Sequence, residues 1–243
     1  MPTCKIVSYP GLVTYAEALA EQYRLVDALL AGDGVDTMLL LEHTPTITVG
    51  RGSVPSDLLR TREALQADGI DVVDTDRGGE ITYHGPGQLV AYPILNLDTR
   101  GRDLHAYLRN LEETIIRTIA RFGIDGKRDP GFTGVWVDAD PLSLEWRGVG
   151  GEGSRKIAAI GIKARRWVTM HGIALNVDAD LTPFRRDFVP CGIHDRGVTS
   201  IAQELSAKNG SIQVKRSDVE RVFSEEFLAV FAFDPESPVV FPM

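Results

Sequence analysis

The sequence predicts an α+β fold, a single domain with a mixed, largely antiparallel sheet flanked by helices. Three strand-like segments follow one another between residues 133 and 177 without a helix between them, which is typical of antiparallel neighbours. Helical segments stand on both sides of this run, so the order of elements does not repeat a βαβ unit. The domain is expected to cover residues 1–243, with a core at about 6–232.

The N-terminal part is predicted to begin with a long helix. Thr14 and Glu17 have capping-box spacing, apolar residues follow at helical intervals, and Gly32 ends the pattern. A second helix is predicted over residues 56–67. Strands are predicted at residues 36–43, 47–50 and 70–75. The first of these is nearly all apolar, which indicates burial on both faces.

The rest of the chain is predicted to contain three further helices and four strands. Residues 103–123 form a predicted helix because apolar side chains recur on one stripe. The stripe consists of Leu104, Leu108, Leu111, Ile115, Ile119 and Phe122. Strands are predicted at residues 88–97, 133–137, 156–164 and 167–177. Helices at residues 199–207 and 217–233 complete the domain, and Ser217 with Glu220 is expected to form a capping box.

Composition and charge indicate a soluble globular protein. The 243 residues are 43% hydrophobic and 25% charged, with a net charge of −8. An acidic chain is poorly suited to nucleic acid, whose phosphates require a basic surface. The sequence shows no apolar run of membrane length, and "MPTCKIVSYPG" has neither a signal-peptide h-region nor an Arg-rich transit character, so we expect no targeting segment there. Because the two cysteines, Cys4 and Cys191, are far apart, we expect no disulfide framework and a cytoplasmic location.

A glycine-rich segment at residues 138–155 is predicted to be a mobile loop. Gly148, Gly150 and Gly153 match the G-x-G-x-x-G pattern of dinucleotide-binding proteins. That pattern requires an apolar strand before it and a helix after it. Here a polar segment precedes the glycines and a predicted strand follows them, so a nucleotide site is not expected.

Glycine and proline bracket a short strand in "DTDRGGEITYHGPGQLVAY". These residues are costly inside regular elements, so Gly78, Gly79, Gly85, Pro86 and Gly87 predict two shaped turns. Such turns either only reverse the chain or hold a ligand, and the local pattern does not decide between these alternatives.

Four side chains are candidates for chemistry. Cys191 stands between a proline and a glycine, and it is either a small core residue or a nucleophile. Lys156 begins a strand directly after the glycine-rich loop, a junction that suits a proton-transferring lysine. His84 and His171 each precede a glycine, and each either faces a cleft or is a hydrogen-bonded structural histidine. No spacing of histidines or carboxylates is typical of a metal site, so no metal is predicted.

Four segments together resemble the lipoyl(octanoyl) transferases. They read "DRGGEITYHGPGQLVAYPI", "KIAAIGIKA", "TMHGIALNVDADL" and "VPCGIHDRGVTS", and they occur in the family's order. The resemblance spans about residues 6–205. Four ordered motifs are far more specific than any one of them. The family is related in fold to the catalytic domains of biotin protein ligase and lipoate ligase, which implies a mixed sheet flanked by helices.

The resemblance implies a transfer of octanoyl through an acyl-thioester on Cys191, with Lys156 as general base and as the cation that favours the thiolate. It also implies three walls of a narrow acyl pocket. The walls consist of Arg77, Gly78, Gly79, Glu80, Ile81, Thr82, Tyr83 and His84; of Ala159, Ile160 and Gly161; and of Gly172, Ile173 and Ala174. No cofactor is implied.

The implied donor is octanoyl-acyl carrier protein. The implied acceptors are lipoyl domains, in the E2 subunits of 2-oxoacid dehydrogenases and in the glycine cleavage H protein. Because the carrier is acidic, a basic docking patch is expected at Lys163, Arg165, Arg166, Arg185 and Arg186. Three alternatives stay open: an ATP-dependent lipoate or biotin ligase, a thiol hydrolase that uses Cys191 with His171, and a non-catalytic carrier-binding module.

Overall fold

The computed structural model describes residues 1–138, 153–188, 196–209 and 213–242. Residues 139–152 of the predicted loop at 138–155 lie outside the described residues, and so does the candidate nucleophile Cys191. Arg155, at the end of the predicted loop, is the first residue of a strand. Within the described part, twelve strands form two sheets. The strands are β1 Lys5–Val13, β2 Thr37–His43, β3 Thr46–Val49, β4 Asp71–Asp74, β5 Ile81–His84, β6 Gln88–Ile94, β7 Gly126–Asp129, β8 Phe132–Val137, β9 Arg155–Arg165, β10 Val168–Asn176, β11 Gly197–Val198 and β12 Val239–Val240.

The larger sheet has the strand order β12-β1-β2-β6-β10-β9-β8-β7, and β11 pairs with β9. The pairs β1–β12, β1–β2 and β9–β11 are parallel, and the other pairs are antiparallel. The smaller sheet has the order β4-β3-β5, with one parallel and one antiparallel pair. The predicted fold class, a mixed and largely antiparallel sheet flanked by helices, is confirmed.

Six α-helices are described: α1 Tyr15–Ala31, α2 Arg62–Ala67, α3 Leu104–Ala120, α4 Pro183–Arg186, α5 Ile201–Asn209 and α6 Arg216–Val230. Two 3₁₀ turns, Pro55–Asp57 and Leu97–Arg100, connect other elements. No helix in the described part of the chain is long and apolar enough to cross a membrane.

Helix α1 starts and stops where the sequence predicts. The Thr14 hydroxyl accepts from the backbone N of Glu17 at 3.2 Å, and the Glu17 carboxylate accepts from the backbone N of Thr14 at 3.0 Å. Gly32 ends the helix with φ 88°, a left-handed conformation that glycine adopts without strain. These signals are local, so they are readable from sequence.

Each face of the larger sheet is covered by a separate layer. On one face Leu40 and Ile173 pack with Leu111 and Ile115 of α3 and with Phe223 of α6. The opposite face packs against α1. The predicted stripe of α3 is buried at Leu111, Ile115 and Ile119, but Leu104 is exposed because it lies at the helix end, beyond the sheet.

Two predicted helix starts are wrong. Residues 56–67 do not form one helix, because Leu58 is extended and forms a bridge with Phe188. The helix begins only at Arg62. Helix α6 begins at Arg216, so Ser217 lies inside its first turn and forms no cap. The Glu220 carboxylate instead accepts a hydrogen bond from Ser8 on β1. In both places a contact between distant segments overrides the local signal.

Candidate active site

A cavity of about 210 Å³ lies between the small sheet and strands β9 and β10. It is lined by the predicted base Lys156 and by all but two of the predicted pocket residues. The pocket residues that line it are Arg77, Gly79, Glu80, Ile81, Thr82, His84, Ala159, Ile160, Gly161, Gly172, Ile173 and Ala174. Three segments far apart in sequence therefore meet around one space.

Gly78 and Tyr83 are the two predicted pocket residues outside the described cavity lining. The backbone N of Gly78 donates to the carbonyl of Ile162 at 2.9 Å, so this turn is fastened to β9. The ring of Tyr83 packs edge-on against Phe184, with 5.9 Å between ring centroids. Phe184 itself lines the cavity, so Tyr83 lies behind a lining side chain.

Arg77 is buried and fastens the turn between β4 and β5 to the small sheet. Its Nη2 donates to the carbonyl oxygen and to the hydroxyl of Thr48, each at 2.8 Å. Gly161 makes this arrangement possible, because a Cβ there would lie 2.8 Å from the carbonyl oxygen of Gly78. At Gly172 a Cβ would lie 2.3 Å from the carbonyl oxygen of Ala91. The two glycines thus allow backbones to approach closely and keep the cavity narrow.

Lys156 lies near the start of β9, at one end of the cavity. Its Nζ lies 4.7 Å from the centroid of the Trp136 ring, within cation–π range. Its carbonyl accepts from the backbone N of Thr199 at 3.0 Å, and Val198 pairs with it across the β9–β11 ladder. Lys156 is therefore held by its backbone on one side and by an aromatic face at its charged end.

A buried chain of hydrogen bonds, not predicted from the sequence, links three of the motifs. Gln88 Nε2 donates to the carbonyl of Tyr83 at 3.0 Å and to Asn176 Oδ1 at 2.9 Å. Asn176 Nδ2 donates to the carbonyl of Thr199 at 2.9 Å. Since Thr199 bonds the carbonyl of Lys156, the chain ties β5, β6 and β10 to the strand beside Lys156.

The predicted nucleophile Cys191 lies outside the described residues, but the residues that flank its segment are described. Before it, Phe184 lines the cavity, and Phe188 forms a bridge with Leu58. After it, Val198 lines the cavity next to Lys156. The chain thus leaves and re-enters the described structure close to the cavity.

An aromatic cluster beside the cavity includes two lining residues that sequence reasoning missed, Tyr15 and Tyr92. They surround His84 and His43, and His43 Nε2 lies 2.8 Å from the hydroxyl of Tyr92. Burial lowers the pKa of His43 to about 4 and holds the pKa of His84 well below its ordinary value. Both imidazoles are therefore neutral at pH 7. No local signal marks the two tyrosines, because tertiary packing brings them here.

His171 also lines the cavity, and its imidazole is fixed by Asp76. The distance from His171 Nε2 to Asp76 Oδ1 is 3.0 Å, and Lys163 pairs with the other carboxylate oxygen. Burial by itself would raise the pKa of Asp76, but hydrogen bonds from Lys163 and His171 lower it to about 2. Burial lowers the pKa of His171, against the opposing effect of Asp76. The pair is a carboxylate and a neutral imidazole.

The remaining lining residues missed by the sequence are Gly131, Thr133, Phe184 and Val198, which come from turns and strand ends. Among the residues that the structure describes, no group of three or more His, Cys, Asp or Glu side chains is placed to hold a metal ion.

The positive charge of the predicted docking patch is largely neutralised by carboxylates of the same chain. Three of its five basic residues pair with carboxylates. The pairs are Lys163 with Asp76, Arg165 with Asp27, and Arg186 with Asp187. These positions therefore offer less uncompensated positive charge than the sequence suggests.

The comparison with family models gives the class of protein to which this fold and cavity belong. The family model "Lipoyl protein ligase A/B catalytic domain" matches residues 14–228, and the chain belongs to this family.

The chain is also similar to proteins named octanoyltransferase. A protein of that name from Chloroflexus aggregans is 50% identical over 200 residues, which cover 82% of this chain and 84% of the relative. Another, from Geobacter metallireducens, is 45% identical over 207 residues, covering 85% of this chain and 86% of the relative.

Solved structures with the same fold are much more distant in sequence. A lipoate-protein ligase A bound with ATP has a TM-score of 0.68 at 14% identity, covering 99% of this chain and 90% of that one. A bipartite lipoate protein ligase from Thermoplasma acidophilum, described with its E2 lipoyl domain, has a TM-score of 0.64 at 15% identity, with coverages of 98% and 87%. At this identity the similarity shows the fold alone.

Proposed function

We propose that this protein transfers octanoyl from octanoyl-acyl carrier protein to a lysine of a lipoyl domain, through a thioester on Cys191. The observation that carries the proposal is the narrow cavity, which has Lys156 at one end and residues of all three predicted walls along it. Relatives named octanoyltransferase, at up to 50% identity in the comparisons above, support the acyl group chosen.

The length of the cavity suits a medium acyl chain. Its β9 wall runs from Lys156 to Gly161, a distance of about 17 Å at roughly 3.4 Å per residue. An extended octanoyl chain is about 9 Å long, from seven bonds of about 1.5 Å in a zigzag. The remaining length accommodates the thioester group. Walls of alanine, isoleucine and glycine exclude branched or bulky groups.

Two acyl transfers complete the reaction. The Cys191 thiolate attacks the octanoyl carbonyl, the C–S bond to phosphopantetheine breaks, and the carrier thiolate leaves with the proton that the Lys156 ammonium gives up. The exchange of one thioester for another is nearly isoenergetic, which suits a cysteine nucleophile. The neutral amine of the acceptor lysine then attacks the acyl-enzyme, the C–S bond to Cys191 breaks, and an amide forms. Lys156 stabilises the thiolate as an ammonium and takes the proton of the attacking amine as a base.

The acceptor proteins proposed are lipoyl domains, either in E2 subunits of 2-oxoacid dehydrogenases or in the glycine cleavage H protein. An E2 lipoyl domain accompanies the ligase from Thermoplasma acidophilum, which shares this fold.

An ATP-dependent lipoate ligase is the second candidate, because a lipoate-protein ligase A of this fold binds ATP. A ligase activates a free acid with ATP, whereas a transferase takes the acyl group from a thioester. Incubation with free octanoate plus ATP, and separately with octanoyl-acyl carrier protein, tells the two apart. A thiol hydrolase would release octanoate to water without an acceptor lysine.

Intact-mass spectrometry of the protein after incubation with octanoyl-acyl carrier protein tests the mechanism. We expect one octanoyl adduct that Cys191→Ala abolishes. The matched control is Cys4→Ala, because Cys4 is fully buried and burial raises the pKa of its thiol. An adduct that persists in Cys191→Ala contradicts the covalent mechanism.

A further inference from the structure

The end of the cavity remote from Lys156 is polar. On β10, His171 pairs with Ile162 of β9, which lies six positions along the strand from Lys156, or about 20 Å at roughly 3.4 Å per residue. The cavity between these two residues is therefore long enough for an extended octanoyl chain of about 9 Å together with its thioester.

The backbone turns His171 out of the regular alternation of β10. Its partner Ile162 and its neighbour Ile173 both pack into the core beneath α3 and α6. A regular strand would place His171 on that same face. Instead His171 has φ 58°, and its ring contacts Asp76, which Lys163 reaches from the opposite face of β9.

Two neighbours maintain this unusual backbone. Extending the β6–β10 register places Pro93 opposite His171, and proline has no N–H to donate across the ladder. The N–H of His171 donates instead to Gln22 Oε1 of α1 at 2.7 Å. Left-handed conformations of this kind are unfavourable in a non-glycine residue and cluster at ligand sites.

The imidazole has one nitrogen in use and one without a partner. Because the Asp76 carboxylate can only accept, Nε2 carries the proton that it donates. Nδ1 then carries a lone pair, and it has no hydrogen-bond partner among the described residues. His171 is 1% exposed and lines the cavity. A buried acceptor without a partner thus belongs to a residue that lines the end of the cavity, where the proposed octanoyl substrate places only a methyl group.

We infer that the distal end of the cavity is a hydrogen-bond site for acyl chains that end in a hydroxyl, with His171 Nδ1 as the acceptor. This inference rests on the proposed acyl transfer and extends its substrates to ω-hydroxyacyl thioesters. An apolar pocket penalises a hydroxyl because it loses water and gains no partner. Here the hydroxyl and Nδ1 satisfy each other, and Asp76 fixes the tautomer that accepts.

Two donor substrates, each measured with the wild type and with His171 variants, test the inference. The donors are the pantetheine thioesters of octanoate and of 7-hydroxyheptanoate, which has the same number of chain atoms with a hydroxyl in place of the terminal methyl. The measurement is kcat/KM for each donor with a lipoyl domain as acceptor. We expect His171→Phe to lower the hydroxyacyl-to-octanoyl ratio by about tenfold, as for a buried polar group left unpaired.

Three further variants make the result specific. His171→Asn keeps an acceptor and tolerates a left-handed backbone, so we expect its ratio to lie closer to that of the wild type. His171→Leu repeats the apolar test if the phenylalanine variant melts early. Lys163→Met removes the other partner of Asp76 without touching the imidazole, so the ratio should change little.

The outcomes separate the two proposals. If wild type, His171→Phe and His171→Leu give the same ratio, water alone satisfies Nδ1 and the inference is overturned, while octanoyl transfer stands. If the wild type fails to transfer octanoyl from either thioester or carrier protein, the proposed function falls and the inference falls with it.

Discussion

We expect Gly161→Ala to push the turn at Gly78 away from β9, where the two line the cavity, and to lower the stability of the protein. The added Cβ would lie 2.8 Å from the carbonyl oxygen of Gly78 and 3.1 Å from Arg77 Cδ. The first neighbour is backbone, so the turn must move away from β9 and weaken its hydrogen bond to Ile162. Overpacking of this kind costs about 1–3 kcal/mol. For a chain of this size we expect the melting temperature to fall by roughly 3–10 °C.

The matched control is Gly11→Ala, because a Cβ at Gly11 meets no atom within 4 Å and neither glycine has a left-handed backbone. Thermal denaturation followed by circular dichroism measures both variants, and steady-state assays measure KM for octanoyl-pantetheine. We expect a raised KM only for Gly161→Ala. Equal melting temperatures for the two variants would refute the close approach of the turn to β9.

Three further predictions follow from individual side chains. Lys156→Arg keeps the positive charge but supplies no usable base. Transfer to the acceptor lysine should therefore fall by about 10²-fold or more in a steady-state assay. A wild-type rate would show that only the charge of Lys156 matters. Arg166 lies in the turn between β9 and β10 with a φ of 48°, a backbone conformation that costs arginine about 1 kcal/mol and suits asparagine. Arg166→Asn should therefore raise the melting temperature by a few degrees. An unchanged or lower melting temperature would contradict this prediction. The folded-state pKa of Asp76 is about 2, below its ordinary 3.8, so its contribution to stability is complete above about pH 4 and is lost as the pH falls towards 2. The gap in melting temperature between wild type and Asp76→Asn should therefore close over that range, and a constant gap would contradict the assignment.

Local signals were enough for much of the fold. The cap at Thr14, the glycine that ends α1 and the run of strands from β8 to β10 depend on neighbours in sequence, and all are found. The same reasoning failed at Ser217, because Glu220 bonds Ser8 on a strand more than two hundred residues away. A capping pattern records only the residues of one segment. It contains no information about a distant residue, here Ser8, that binds the same side chain in the folded protein.

The candidate site shows the same division. Motifs identified the segments around Arg77, Lys156 and Gly172, since each carries an unusual run of small or polar residues. Tyr15 and Tyr92 look like ordinary helix and strand residues, and only the packing of α1 and β6 brings them to the cavity. The separation of β3, β4 and β5 into a second sheet is likewise a matter of long-range pairing that no local pattern records.

Glycines make up four of the residues around the cavity, namely Gly79, Gly131, Gly161 and Gly172. At these four positions the cavity wall consists of main-chain atoms. Exchanging side chains at other positions therefore does not change the width of the cavity there. The width of the cavity therefore depends on the register of β9 against β10. A shift of that register by one residue would turn every side chain to the other face of the sheet. Such a slot is difficult to widen by gradual evolution. Engineering of acyl preference is therefore better directed at Ala159 and Ala174, which face each other across the two strands and do carry side chains.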